Sequence, residues 1–268
     1  VIRYAGYIYA QDGAEENLDI IRQRVAEGYS ILIFPEGRRS VDGKIGRFHK
    51  GAFLLAQELK LDITPVILHG VTYVLPKTDY IVKGGEMTVK ILPRIKHDDL
   101  SWGATYRERT KSIAAYFKNE FQAYSRHKET ASYLWHRVFN NYLYKGPLIE
   151  WYIRVKWKLE HKNYDYYNEL IGYDRKRILD IGCGYGYMAM FLHYKNTQRE
   201  ITGIDYDEEK IKIAANCFDK TSLVNFLTED VRNFTFGEQD VIFLNDTLHY
   251  LKQYEQDAVL ASCVASLS

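Results

Sequence analysis

Cysteine is scarce in this 268-residue chain: Cys183, Cys217 and Cys263 stand far apart, without C-x-x-C spacing. That excludes a disulfide framework and a cysteine-built zinc site, so no metal is expected, and it suits a reducing compartment. Long hydrophobic runs are missing too. No stretch reaches the about eighteen consecutive apolar residues that a spanning helix needs, and no basic stretch leads into an apolar one at the N-terminus. Net charge is nearly absent. A formal +1 lacks the strong positive balance of a dedicated nucleic-acid binder, and no nucleic-acid partner is expected. Internal repeats and low-complexity tracts are also lacking.

What is there is ordinary globular material, 46% hydrophobic and 26% charged, long enough for two modules. The small total hides a gradient. Residues 1–125 carry 18 Lys+Arg against 15 Asp+Glu, residues 126–177 carry 11 against 6, and residues 178–268 carry 7 against 14. A basic middle joined to an acidic end places a change of module near residue 175. The expected division is an α/β module over 1–125, a basic, aromatic-rich helical bridge over 126–172, and a second α/β module over 173–268. The stretch from Tyr124 to Tyr173 holds nine of the 23 tyrosines and three of the four tryptophans. Its aromatics either pack inward between the modules or face a membrane surface, where Trp and Tyr favour the headgroup level and Lys and Arg are drawn to anionic lipid.

Periodicity sets the elements. Ala14–Glu27 has helical spacing, with Gly28 as its stop, and Ser30–Phe34 reads as a buried strand ended by Pro35. Lys50–Leu61 reads as a helix, Ile63–Val71 and Met87–Leu92 as strands, and Ala104–His127 as a long helix. After Arg177 the order is strand (178–181), glycine-rich turn, helix (187–193), strand (201–204), helix (208–218), strand (224–227) and strand (240–244). Such alternation builds a doubly wound parallel sheet whose binding site lies at the strands' carboxyl ends.

Two constellations carry chemistry. In Phe34-Pro-Glu-Gly-Arg-Arg-Ser40 a carboxylate, a glycine, two arginines and a serine share one loop, a composition suited to phosphate because guanidinium matches its oxygens bidentately. The string resembles the F-P-E-G-T-R-S block of the glycerol-phosphate and lysophospholipid acyltransferases. Gly46-Arg-Phe-His-Lys-Gly-Ala52 and Ile63-Thr-Pro-Val-Ile-Leu-His-Gly70 resemble that family's next two blocks. The resemblance implies that Glu36, Gly37, Arg38, Arg39 and Ser40 hold the phosphate-bearing acceptor and that Pro65 shapes the acyl pocket. It also implies a lysophospholipid-like acceptor, acyl-CoA or acyl carrier protein as donor, and a place at the cytoplasmic face of a membrane. Arg38 stands where the family has Thr. Gly6-Tyr-Ile-Tyr-Ala-Gln11 sits where the family has a block ending in Arg. The family's reaction uses a His-x-x-x-x-Asp pair, and none of the eight histidines has Asp five residues on. No catalytic acyltransferase residue is therefore assigned. The chain opens mid-pattern on Val1, so it is expected to be a piece of a longer protein.

In Arg177-Ile-Leu-Asp-Ile-Gly-Cys-Gly-Tyr-Gly186 an acidic strand end turns through Gly182, Gly184 and Gly186 into a helix. A dinucleotide fingerprint would place its third glycine at 187, where Tyr187 stands. The G-x-G-x-G spacing resembles the class I S-adenosylmethionine-dependent methyltransferases. That resemblance makes Asp180, Gly182, Gly184 and Gly186 the cofactor turn, Asp205 the ribose acceptor, Asp230 the adenine partner and Asn245 a residue facing the methionine end. It implies a seven-stranded sheet whose last three strands lie beyond this chain. The expectation is thus a partial acyltransferase domain followed by a partial Rossmann-like methyltransferase, a bifunctional transferase with S-adenosylmethionine as cofactor and a small molecule or lipid as methyl acceptor. The alternatives are a methyltransferase carrying a degenerate lipid-binding module, or one whose N-terminal half binds substrate.

Overall fold

The computed structural model describes residues 18–41, 43–77, 81–217 and 219–268. The expectations placed on Val1, on Gly6–Gln11 and on the start of the first helix lie outside them. Two units divide the chain, Val1–Ser125 and Arg126–Ser268.

In the first unit, helix α1 (Leu18–Ala26) buries Ile21 and is followed by Gly28 at φ 90. Helix α2 (Gly51–Glu58) buries Phe53 and Leu55. Strand β1 (Val66–His69) alternates, with Ile67 and His69 inward and Val66 and Leu68 outward, as the strand period of two requires. After the single turn α3 (Val71–Val74), strand β2 (Thr88–Ile91) pairs antiparallel with β1. Helix α4 (Tyr106–Lys128) lays Ile113 and Phe117 on Phe48, Phe53, Ile67, Leu92 and Ile95. Buried Arg109 donates to the carbonyls of Lys96, His97 and Asp99 and so fixes the loop before α4.

One expectation fails here. Ser30–Phe34 is not a buried strand: it makes no ladder among the described residues, and Leu32 and Phe34 are 79% and 64% exposed. An apolar run becomes a strand only where a neighbour completes its hydrogen bonds, and among the described residues β1 has that partner in β2 instead.

In the second unit, helices α5 (Ala131–Phe139) and α6 (Pro147–Ile171) precede the sheet. Pro147 occupies the first turn of α6, where its missing N–H costs nothing, and Gly172 ends the helix at φ 77. The sheet comprises β3 (Arg177–Ile181), β4 (Glu200–Asp205), β5 (Val224–Thr228) and β6 (Val241–Phe243), all parallel in the order β5-β4-β3-β6. Helices α7 (Tyr187–Lys195), α8 (Glu208–Ala215) and α9 (Gln253–Ser266) complete the unit. Met188–Tyr194 of α7 are all buried, as a helix apolar on every side must be. Trp157 and Tyr164 of α6 pack their rings on Phe191 of α7, the first edge-on and the second tilted. Tyr142 is fully buried and donates to the Tyr185 carbonyl. Much of the aromatic stretch is therefore core, each such ring contributing about 1.5–3 kcal/mol through burial. Cys183, Cys217 and Cys263 are all buried free thiols. No helix of the described residues is long and apolar enough to cross a membrane.

Candidate functional site

The chain moves outward from β3 through β4 to β5 and then returns to place β6 on the other flank of β3. A crevice opens where the order reverses, at the carboxyl ends of β3 and β6. A cavity of ≈ 430 Å³ occupies it, and Asp180, Gly182, Gly184, Asp205, Asp230 and Asn245 all line it. Gly186 does not line the cavity; it caps α7. Six of the sequence-assigned cofactor residues thus converge.

The glycine turn is shaped by what lies behind it. Gly182 has φ 74, and a Cβ there would fall 2.2 Å from Thr247 Oγ1, so only glycine fits. Its N–H donates to the Ile204 carbonyl, stitching the turn to β4 (2.8 Å). Gly184 has φ 55, and a Cβ there would point into open space. Its N–H donates to Asp205 Oδ2 at 2.9 Å, and the Asp207 N–H donates to Asp205 Oδ1 at 2.9 Å. Asp205 is thereby held at the tip of β4 by one bond per oxygen, with lone pairs left for a ligand.

Asp180 is 2% exposed, and its Oδ2 is buried without a hydrogen-bond partner among the described residues. Burial, then the nearby charges of Asp205 and Glu160, push its carboxyl up to about 7. Asp230 is differently placed. Arg232 grips both its oxygens, and that grip holds its carboxyl below the usual range. An adenine contact at Asp230 would have to displace Arg232. Cys183 is buried against Gly203, and burial pushes its thiol well up, so it is a packing residue and no nucleophile.

Sequence reasoning missed one wall. Tyr152, Lys156 and Glu160, spaced four apart on α6, face the cavity. Glu160 accepts from Tyr164 (2.7 Å), Tyr187 (3.1 Å) and Lys156 (3.0 Å). Lys156 also donates to Asp246 Oδ2 at 3.2 Å, tying α6 to the loop after β6. Burial opposes the lysine's charge, but the bonds to Glu160 and Asp246 outweigh it and hold Lys156 above the ordinary range. The only signal in the sequence was an i,i+4 Lys–Glu pair, which on most helices is a solvated one. The lining has six acids (Glu160, Asp180, Asp205, Glu229, Asp230, Asp246) against three bases (Lys156, Lys210, Arg232), so the cavity favours a cation.

In the first unit the structure brings two of the recognised blocks together. Glu36 accepts from the Gly46 N–H at 2.6 Å, and the His49 N–H donates to the Pro35 carbonyl. Gly37 stands at φ 67 beside the His49 ring. Arg39 donates to the Leu75 carbonyl (3.0 Å), and Ser40 Oγ lies 3.5 Å from Thr72 Oγ1. Arg38 is exposed and has no hydrogen bond or ion pair among the described residues. Pro65 accepts from the Leu92 N–H at the edge of the β1–β2 pair.

A doubly wound sheet with a glycine turn at its switch point defines a nucleotide-cofactor fold in the second unit. Residues 178–268 match the family model described as a methyltransferase domain, and residues 1–69 match the one described as acyltransferase. The chain thus joins an acyltransferase-like region to an S-adenosylmethionine-dependent methyltransferase domain. A 1-acyl-sn-glycerol-3-phosphate acyltransferase of Limnanthes alba is 38% identical over 81 residues, 30% of this chain and 29% of that protein. A carboxy-S-adenosyl-L-methionine synthase of Campylobacter hominis is 26% identical over 96 residues, 35% of this chain and 41% of that protein. The plantazolicin methyltransferase BpumL, solved in complex with SAH, is 23% identical, with a TM-score of 0.36 over 56% of this chain and 58% of that one. The chain spans about three tenths of the length of the acyltransferases it matches.

Proposed function

We propose that the second unit transfers a methyl group from S-adenosylmethionine to a small molecule or lipid, and that the first unit recognises a lysophospholipid- or glycerol-phosphate-type acceptor. The observation that carries the first half is the convergence of Asp180, Gly182, Gly184 and Asp205 on one acid-rich cavity. The residues fit the cofactor. Gly184 leaves open space where a side chain would intrude, Asp180 holds a buried oxygen without a partner, and the acid excess suits a sulfonium.

When bound, S-adenosylmethionine supplies an electrophilic methyl on a positively charged sulfur. Asp205 accepts from the ribose hydroxyls through its remaining lone pairs, and the Gly182–Gly184 backbone lets the ligand lie against it. Asp180 and Asn245 face the methionine end. Glu160, fixed by two tyrosine hydroxyls and Lys156, adds a held carboxylate to the cavity wall, opposite in charge to the sulfonium. Calorimetric titration of the chain with S-adenosylhomocysteine tests this. Asp205→Ala should weaken binding at least about tenfold, since charge-assisted hydrogen bonds are lost; equal binding would sink the assignment.

In the first unit Glu36 shapes the loop by holding Gly46, and exposed Arg38 and Arg39 present guanidinium to the acceptor's phosphate. The acyl chain would come from acyl-CoA or acyl carrier protein. A second reading rests on the lack of a His-x-x-x-x-Asp pair in these 268 residues: the region binds the head group without transferring acyl. Incubation with labelled acyl-CoA and lysophosphatidate separates the two, because only the first yields a diacyl product.

A further inference from the structure

Helix α6 has three faces. One is core (Ile153, Trp157, Tyr164), one lines the cavity, and the third is open. On the open face Leu148, Trp151, Val155, Leu159, Tyr166 and Leu170 are exposed, from 36% at Val155 to 75% at Leu148. At about 100° per residue they fall within an arc of about 100°, one stripe running the length of the helix. Soluble surfaces seldom leave so many large apolar residues contiguous. Exposed Arg154 and Lys158 border the stripe on one side, and exposed Lys162 falls just inside that border. Of the helix's acids, Glu150, Glu160 and Asp165 are partly buried and Glu169 alone is exposed, in the last turn.

A second observation sits at the helix's N-terminal end. Tyr144 takes φ 64, a left-handed conformation that an aromatic residue rarely adopts, and its side chain is 97% exposed. The Tyr144 N–H donates to Glu150 Oε1, so the chain turns this ring outward just before α6 at a cost in backbone strain.

We propose that this stripe docks the second unit on an anionic phospholipid bilayer. An apolar stripe with a lysine and arginine edge is the pattern of a helix lying in the membrane interface, its apolar residues at the headgroup–acyl boundary and its cations on lipid phosphates. Tyr144 and Trp151 supply the aromatic anchors that such an interface favours. Because Tyr152, Lys156 and Glu160 wall the cavity on the adjacent face of the same helix, docking brings the bilayer surface beside the cavity.

Co-sedimentation of the full chain with phosphatidylcholine vesicles, with or without phosphatidylglycerol, tests the proposal. The chain should sediment with the anionic vesicles and lose binding as salt is raised. The double variant Trp151→Glu/Leu159→Glu should bind at least about tenfold less, while titrating S-adenosylhomocysteine as the unaltered chain does. Lys158→Gln/Lys162→Gln, altered only at exposed tips, should lose most of the salt-sensitive part; it carries the test if the first variant fails to fold. Failure of the unaltered chain to bind anionic vesicles would overturn the proposal. So would equal binding by the variants, which would locate the membrane contact elsewhere. Sedimentation velocity showing a dimer that Trp151→Glu/Leu159→Glu splits would assign the stripe to a second copy instead.

Discussion

Replacing Asp180 by Asn tests the electrostatics of the cavity floor most directly. The carboxyl is buried and shifted from an ordinary 3.8 to about 7. Its folded pKa lies above its unfolded one, so its stability contribution is fully present below pH 3.8 and is lost as pH rises through about 7. Three units at about 1.4 kcal/mol each amount to roughly 4 kcal/mol across the full range. Between pH 5 and pH 8 the wild-type chain should lose roughly 2–3 kcal/mol that Asp180→Asn, which cannot ionise, retains. Urea unfolding followed by tryptophan fluorescence at several pH values measures the difference. Three of the four tryptophans, Trp135, Trp151 and Trp157, belong to the second unit and report on it. Parallel pH profiles for the two proteins would refute the reasoning, because they would mean that Asp180 stays ionised on folding at no cost.

Two further substitutions probe the frame around the site. Gly182→Ala forces a Cβ to 2.2 Å from Thr247 Oγ1 at a positive φ, and thermal melting should show a loss of more than about 2 kcal/mol; a loss below about 0.5 kcal/mol would mean the turn yields freely. Arg199 is fully buried and donates to the carbonyls of Leu192 and Gly172 at the ends of α7 and α6. Arg199→Leu should cost roughly 2 kcal/mol in urea unfolding by leaving the Gly172 carbonyl unpaired, while the Leu192 carbonyl keeps the Asn196 N–H; an unchanged midpoint would show that water replaces the guanidinium.

The second unit's sheet was legible because its information is local. Asp180 to Gly186 spell a strand end, a turn and a helix start in seven residues, and a parallel strand buried on both faces reads as a short apolar run. Boundaries shifted by only a residue or so at β3 and β4. Ser30–Phe34 looked the same and is exposed, since the run says nothing about whether a ladder partner exists. The α6 wall was illegible for a related reason. Tyr152, Lys156 and Glu160 acquire meaning only when α6 packs on α7 and is tied to the loop after β6, contacts that no spacing along the chain encodes. The grip of Arg232 on Asp230 was equally hidden, although two residues apart, because a carboxylate in a sequence carries no sign of which partner it will take.

The Lys156–Asp246 bond joins residues 90 positions apart, and β6 reaches β3 only after β4, α8 and β5 have intervened. Contacts of such span are the slowest to form, since a long loop must close before they reward it. A chain synthesised from its N-terminus can complete the β3–β4–β5 ladder before Asp246 exists. The cofactor cavity is therefore a late product of folding. A chain shortened before β6 would retain three paired strands, yet it would have neither the second flank of the crevice nor the anchor that holds α6 against it.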